Sequence, residues 1–327
     1  MTTASLVEEF LRGLALGDTS PEREAILRTL VTRLVDLVAL DPDDGDLKVA
    51  ATVLDELLEA ANVFSPWRDH PKLTVFGSAR TRPGTPLYQM AAALGAAMAA
   101  KGWITVSGAG PGIMEAAARG AGRENTLGVN VELPFEQSAN PYVDAETRLV
   151  EMKYFFTRKV ALTKESIAFA IFPGGLGTMD ETFEILTLLH TGKSTPAPVI
   201  LVDTPDGDYW DRWLEFVEGW MIGANYLDAQ DTCLFRICRS VEETIDEVER
   251  FYSNYIGFEL SAGLARVALR RAVTPALLGA LRDAVPAFAT GAGYRVDDAG
   301  LLTFDFDGRQ YVDLRRVIDV VNADYWD

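Results

Sequence analysis

Cysteine and histidine are scarce in this chain: Cys233, Cys238, His70 and His190 are the whole supply in 327 residues. So thin an inventory offers no tight Cys/His cluster of the kind a zinc site needs. If "CLFRIC" (233–238) is one strand, a separation of five turns the two thiols to opposite faces, which argues against a disulfide between them. Also missing is any run of about 18 or more apolar residues that would span a bilayer. The opening "MTTASLVEEFLRG" lacks the basic start of a secretory signal, so no membrane association and a cytoplasmic location are expected. Positive charge is short as well: 30 Lys and Arg stand against 48 Asp and Glu, a formal net charge of −18. A nucleic-acid polymer, whose affinity depends on neutralising many phosphates, would be repelled by such a surface. One phosphate group needs only local donors, so a mononucleotide stays open.

What the chain has in quantity is apolar surface, 48% of its residues, enough for a large core. Residues 1–70 read as a helical N-terminal extension, with Leu34, Leu37 and Val38 at helical spacing, a break at "LDPDDGD" (40–46) and a linker-like "SPWRDHP" (65–71). A strict alternation follows. "KLTVFGS", "WITVSG", "TLGVNVEL", "RLVEMKY", "IAFAIF", "APVILVD" and "CLFRIC" are strand-like. Between them lie helices at 86–102, in "PGIMEAAARGAG", from about Phe155 to Ser166, up to "HTGK", and in "YWDRWLEFVEGWMIG"; "SVEETIDEVERFYSNY" closes the series, and "PFEQSANPYVDAE" is an irregular loop. This rhythm predicts right-handed βαβ units and an α/β, doubly wound, parallel, Rossmann-like sheet over residues 71–255. Residues 256–327 read as a small α+β appendage. In it "LARVALRRAVTPALLGALRDAV" is predicted as amphipathic helix broken at Pro275, and "LLTFDFDGRQYVDL" (301–314) as a hairpin around Asp307-Gly308.

Three glycine turns stand where strands should end and helices begin, the usual ligand side of an open parallel sheet. They are "FGSARTRPG" (76–84), "SGAGPGIME" (107–115) and "PGGLGTMDE" (173–181). Exposed N–H groups and the positive helix end make such turns anion sites. "SGAGPG" has one residue between its second and third glycines and so fails the dinucleotide fingerprint, and no Gly-Lys-Ser/Thr marks a P-loop. The third turn is more specific. Gly174, Gly175 and Gly177 clear side chains from the strand end, and Thr178 adds a hydroxyl, a pattern suited to a phosphate. Thr178 and Glu181 also satisfy the T-x-x-E capping box, which stands as the alternative reading.

"PGGLGTMDE" together with Arg158-Lys159 in "YFFTRK" resembles the LOG family, the cytokinin riboside 5′-monophosphate phosphoribohydrolases. "FGSAR", "GPGIMEAAARGA" and "GVNVELPFEQ" are similar to its longer bacterial branch, which also carries the name lysine decarboxylase. The resemblance covers roughly residues 72–252. It implies hydrolysis of the N-glycosidic bond of a nucleoside 5′-monophosphate, AMP or a cytokinin riboside monophosphate, to free base and ribose 5-phosphate. It also implies catalysis by Arg158 and Glu181, phosphate binding by Gly174, Gly175, Gly177 and Thr178, and a homo-oligomer, dimer or higher. Phe155-Phe156-Thr157 replace the Met-His-Glu of short plant-type members, at positions near the base.

Chemistry gives these residues roles. Cleaving a ribosyl C–N bond passes through an oxocarbenium-like state, which a carboxylate beneath the ribose stabilises; Glu181 can do this, orient the ribose hydroxyls or guide water. Arg158 can bind phosphate or a ribose hydroxyl, or hold Glu181 ionised. Phe155, three residues before Arg158, shares its helix face and suits a stacked base. Gly77, Ser78, Arg80, Gly110, Gly112 and Glu115 are placed as further substrate contacts. No step requires a metal or an organic cofactor. A non-catalytic nucleotide or cofactor carrier would use the same glycine turns, and the Arg158–Glu181 pair is the feature that favours an enzyme. A pyridoxal-phosphate decarboxylase is disfavoured because nothing marks Lys153 or Lys159 as a Schiff-base residue.

Overall fold

The structure is a computed structural model and describes residues 3–13, 20–133 and 139–323. Compactness divides the chain between Asp55 and Glu56. The first unit contains α1 (Thr3–Gly13), α2 (Pro21–Ala39) and the start of α3 (Asp44–Phe64). Local chemistry sets the start of α2. Ser20 Oγ accepts the Arg23 N–H at 3.3 Å, and Pro21 takes the first helical position, where a missing N–H costs nothing.

The second unit, Glu56–Asp327, holds two sheets. The larger has seven parallel strands: β1 (Lys72–Phe76), β2 (Ile104–Ser107), β3 (Thr126–Val131), β4 (Leu149–Met152), β5 (Ala168–Ile171), β6 (Val199–Val202) and β7 (Arg236–Cys238). They connect through α4 (Pro86–Ala100), α5 (Ile113–Ala121), α6 (Phe155–Lys164), α7 (Leu176–His190), α8 (Tyr209–Phe216) and α9 (Val241–Phe251). Alternation along each strand feeds two separate cores, because successive side chains point to opposite faces. Phe76, Phe169, Ile171, Val199 and Leu201 pack with Leu162 of α6, Ile185 of α7 and Trp210 of α8. Leu73, Val75, Ala170, Phe172, Ile200 and Val202 pack with Leu94 of α4, Ile113 of α5 and Val248 of α9. This is the doubly wound arrangement, covered on both faces.

Strand order is β4-β3-β2-β1-β5-β6-β7, so the chain reverses its direction across the sheet between β1 and β5. Those two strands are direct neighbours, with Phe76 beside Ile171. In an open parallel sheet a ligand crevice lies outside the carboxyl ends of the strands at such a switch point. Among the described residues no helix is long and apolar enough to cross a membrane.

The smaller sheet follows with β8 (Tyr255–Ser261), β9 (Leu264–Leu269), α10 (Pro275–Ala284), β10 (Arg295–Val296), β11 (Leu302–Asp305) and α11 (Tyr311–Ala323), in the antiparallel order β10-β11-β9-β8. Here three sequence expectations are corrected. "LARVAL" is strand β9, not helix; Ala265 and Val267 alternate into the core, and the helix begins only at Pro275. Its hairpin partner is β8, joined through Ala262 and Gly263, both at positive φ (50° and 77°), as a two-residue turn of the primed kind demands. Asp307-Gly308 makes no hairpin but links β11 to α11. Likewise the strand in "CLFRIC" begins only at Arg236, so Cys233 lies on a separate 3-10 turn and the opposite-faces argument lapses. Both cysteines are free thiols, pushed up by burial to about 11 for Cys233 and about 12 for Cys238. The first residues of the loop expected after β3, 134–138, lie outside the described residues.

Candidate active site

The crevice at the switch point is a cleft of about 900 Å³. A smaller hollow of about 120 Å³, walled by Phe183, Trp213, Met221 and Phe235, is apolar and has no glycine turn. The larger cleft is the candidate site. Backbone hydrogen bonds tie its three glycine turns into one frame. Ser78 N–H donates to the Pro173 carbonyl (3.1 Å), and Ile113 N–H donates to the Ser78 carbonyl (3.1 Å).

The third turn runs from β5 into α7. Gly175 is the N-cap of α7, and no side chain caps the helix. Its first N–H groups therefore have no intrahelical partner and face outward with the positive end of the dipole. The capping box fails for the same reason: Thr178 is the third helical residue and Glu181 lies in the second turn. Thr178 is tucked beneath Gly174, where an added Cβ would stand 2.1 Å from Thr178 Oγ1. Only glycine lets that close approach happen.

Arg158 of α6 and Glu181 of α7 meet over this turn. Arg158 Nη2 donates to Glu181 Oε1, and their side chains are 13% and 8% exposed. The guanidinium also sits 5.1 Å from the Phe155 ring centroid. Its Nε is buried with no hydrogen-bond partner among the described residues. A donor without a partner beside an open cleft is a group waiting for an acceptor, because burial without a hydrogen bond is costly. Burial pushes the Glu181 carboxyl above the ordinary carboxylate range, while the Arg158 charge pulls it back without cancelling the effect.

The neighbouring lysine has a different job. Lys159 Nζ donates to Asp180 (2.7 Å) and Glu184 (3.1 Å), clamping α6 against α7 and leaving no free amine for a Schiff base. A second support comes from α3. Glu56, 4% exposed, accepts from the Lys153 N–H (2.6 Å) and the Tyr154 N–H (3.3 Å) through Oε1, and from the Thr157 hydroxyl through Oε2. The N-terminus of α6 has no cap from its own N-cap side chain, and Glu56 holds the two residues leading into the helix, with a charge that suits the helix dipole. Glu56→Ala strands two backbone donors, the Thr157 hydroxyl keeping the Tyr154 carbonyl (2.9 Å), and is expected to cost about 2 kcal/mol of stability, read as a lowered denaturation midpoint; Glu56→Gln, which keeps one acceptor, is expected to cost less.

Of the residues singled out in the sequence, Gly77, Ser78, Arg80, Phe155, Arg158, Gly174, Gly175, Gly177, Thr178 and Glu181 line the cleft together. Arg80 is exposed at its rim and its guanidinium makes no ion pair among the described residues. Gly110, Gly112 and Glu115 are not among the residues that line this cleft and stand just behind it. The Gly110 carbonyl accepts from Asn140 Nδ2 (3.1 Å). Gly112, at φ 70°, lies against the Ser78 carbonyl, 2.3 Å from where a Cβ would be. Glu115 Oε1 accepts from the Tyr88 hydroxyl (3.1 Å). These three build the frame. Gly108, Met114, Val131 and Leu133 line the cleft unforeseen. Gly108 had a signal, its place in the second turn, and its missing side chain makes room for Met114 Sδ and Arg158 Nη1. Glu56 had none.

A doubly wound sheet with an uncapped glycine turn and a paired arginine and glutamate at its switch point defines an α/β protein with a candidate ligand cleft. Comparison with known proteins refines this. The family described as "Possible lysine decarboxylase" matches residues 113–248. The cytokinin riboside 5′-monophosphate phosphoribohydrolase of Rhodococcoides fascians is 32% identical over 165 residues, 49% of this chain and 81% of that protein. The protein of the same name from Mycobacterium tuberculosis is 32% identical over 121 residues, 36% of this chain. The match spans 63% of that relative's length. Among solved structures, the molybdenum cofactor binding protein of Rippkaea orientalis is 23% identical over 54% of this chain and 94% of its own, with a TM-score of 0.39. The chain belongs to the LOG family.

Proposed function

We propose that this chain hydrolyses the N-glycosidic bond of a nucleoside 5′-monophosphate, AMP or a cytokinin riboside monophosphate, yielding free base and ribose 5-phosphate. One observation carries the reading: Arg158 and Glu181 pair at the wall of a cleft whose floor is an uncapped glycine turn. The 5′-phosphate takes the N–H groups at the start of α7, with the Thr178 hydroxyl and the rim cation Arg80 beside them. The ribose then lies under Glu181, and the exposed Phe155 ring offers a stacking face to the base.

As the C1′–N bond breaks, positive charge grows on the sugar, and the Glu181 carboxylate lies where it stabilises that charge. The oxygen of a water molecule bonds to C1′. Glu181 takes the water's proton and gives it up through solvent to the leaving nitrogen of the base, so that one water supplies both the new hydroxyl at C1′ and the new N–H. Arg158 partly offsets the burial of Glu181 and so favours its ionised form, and it offers its Nε–H to a ligand oxygen. The names of the curated relatives support this chemistry. Apolar residues beside the site, Phe156, Val160 and Leu176 (91% exposed), support a homo-oligomer; a solution mass equal to one chain would remove that part.

Because Glu181 works as a carboxylate and its folded value is raised, activity is expected to fall on acidification at a higher pH than an ordinary glutamate would give. Arg158→Gln removes the cation that pulls the value down, so the acid limb of kcat/KM is expected to move to still higher pH. A pH–rate profile of both proteins checks this. The reading itself is tested by incubating the chain with purine, pyrimidine and cytokinin riboside monophosphates and separating the products. Equal amounts of base and ribose 5-phosphate from at least one substrate are expected; tight binding without release would make the site a carrier.

A further inference from the structure

The peptide between Gly174 and Gly175 has no side chain on either side to set its rotation, and α7 has no side-chain cap to lock it. One group outside the turn does reach it. The Tyr209 hydroxyl donates to the Gly174 carbonyl at 2.7 Å, across 35 residues of sequence. Tyr209 is itself firmly placed as the first residue of α8. Its N–H donates to Asp203 Oδ2 (3.1 Å), and Asp203, 3% exposed, also accepts the Thr204 N–H (2.8 Å). Its ring stands edge-on to Trp210, at 4.9 Å between centroids and 87°. Trp210 is fully buried and donates Nε1–H to the Val202 carbonyl (3.1 Å). From the end of β6, then, a chain of contacts runs from buried Asp203 and Trp210 to the half-buried Tyr209 and its hydroxyl.

In a trans peptide the carbonyl and the following N–H point in opposite directions. With the Gly174 carbonyl drawn toward Tyr209, the Gly175 N–H is turned the other way, away from that ring, and both glycines line the cleft. A flip of this peptide would instead aim a carbonyl oxygen at an incoming anion. We propose that Tyr209 is a positioning residue for phosphate recognition: it holds the Gly174–Gly175 peptide with its N–H presented to the ligand, and so sets the preference for a phosphorylated over an unphosphorylated nucleoside. This rests on the proposed function, since it assigns a device to the phosphate subsite of that same cleft.

The test uses the full chain and Tyr209→Phe, which removes the hydroxyl and keeps the ring. Calorimetric Kd values are measured for AMP, ribose 5-phosphate and adenosine, the AMP titrations of both proteins being made in the Glu181→Gln background so that AMP is not turned over, with thermal melting as a check on folding. In the variant, Kd for AMP and for ribose 5-phosphate is expected to rise about tenfold, the scale of one hydrogen bond's geometry on a charged group, while Kd for adenosine stays as in wild type. A role confined to packing would move all three together, and that result overturns the inference; so does a variant that leaves all three unchanged. Wild-type protein that binds AMP no better than adenosine would remove the phosphate reading and this inference with it. The two failures are thus told apart by which protein shows them.

Discussion

Glu181→Gln is expected to lower kcat roughly 10²–10⁴-fold, the range for removing a positioned acid–base group, with a much smaller change in KM. The amide keeps the shape and one hydrogen-bond acceptor for Arg158 but can neither offset positive charge on the sugar nor take a proton from water. Phosphate binding is assigned to a separate turn, so substrate affinity should survive. Arg158→Ala is expected to lower kcat as well, and the double variant to be little worse than Glu181→Gln alone, because the two side chains act as one unit. Steady-state kinetics of the four proteins on the best substrate checks this. Additive losses would mean that the hydrogen bond between them has no catalytic meaning.

Gly174→Ala is expected to weaken binding of a nucleoside monophosphate by roughly 100-fold or more. The new methyl would stand 2.1 Å from Thr178 Oγ1, 2.6 Å from Thr178 Cβ and 3.0 Å from the Ser78 nitrogen. Rotating the threonine does not relieve a clash that includes its Cβ, so the turn itself must move. Losing two charge-assisted N–H contacts, at about 1.5 kcal/mol or more each, gives that factor. Overpacking should also cost about 1–3 kcal/mol of stability. Calorimetry with ribose 5-phosphate, which carries the same phosphate and is not turned over, and a denaturation curve measure both. Wild-type affinity in this variant would show that the turn does not hold the phosphate.

The larger sheet was legible because parallel strands covered on both faces read as plain apolar runs, such as "IAFAIF" and "APVILVD", spaced by helix-length segments. The third glycine turn was legible for a related reason: three glycines and a threonine at a strand end leave few structural uses. Its rival reading, a capping box, turned on where α7 begins, and a shift of three residues decided it. The part played by Gly110 and Gly112 was not legible, because a glycine that admits a neighbouring loop looks, in sequence, like one that admits a ligand. The β8–β9 hairpin was hidden by Ala262, an alanine in a left-handed conformation that turn rules give to asparagine or glycine. Glu56 and Tyr209 could not have been found, since each acts on a segment far along the chain through a contact only the fold creates.

The most direct measurement is a crystal structure with ribose 5-phosphate bound. The expected density places the phosphate on the N–H groups from Gly175 to Thr178 and the sugar's C1 within reach of Glu181, with Arg158 Nε–H on a ligand oxygen. A phosphate seated away from that turn, or a C1 remote from Glu181, would contradict it.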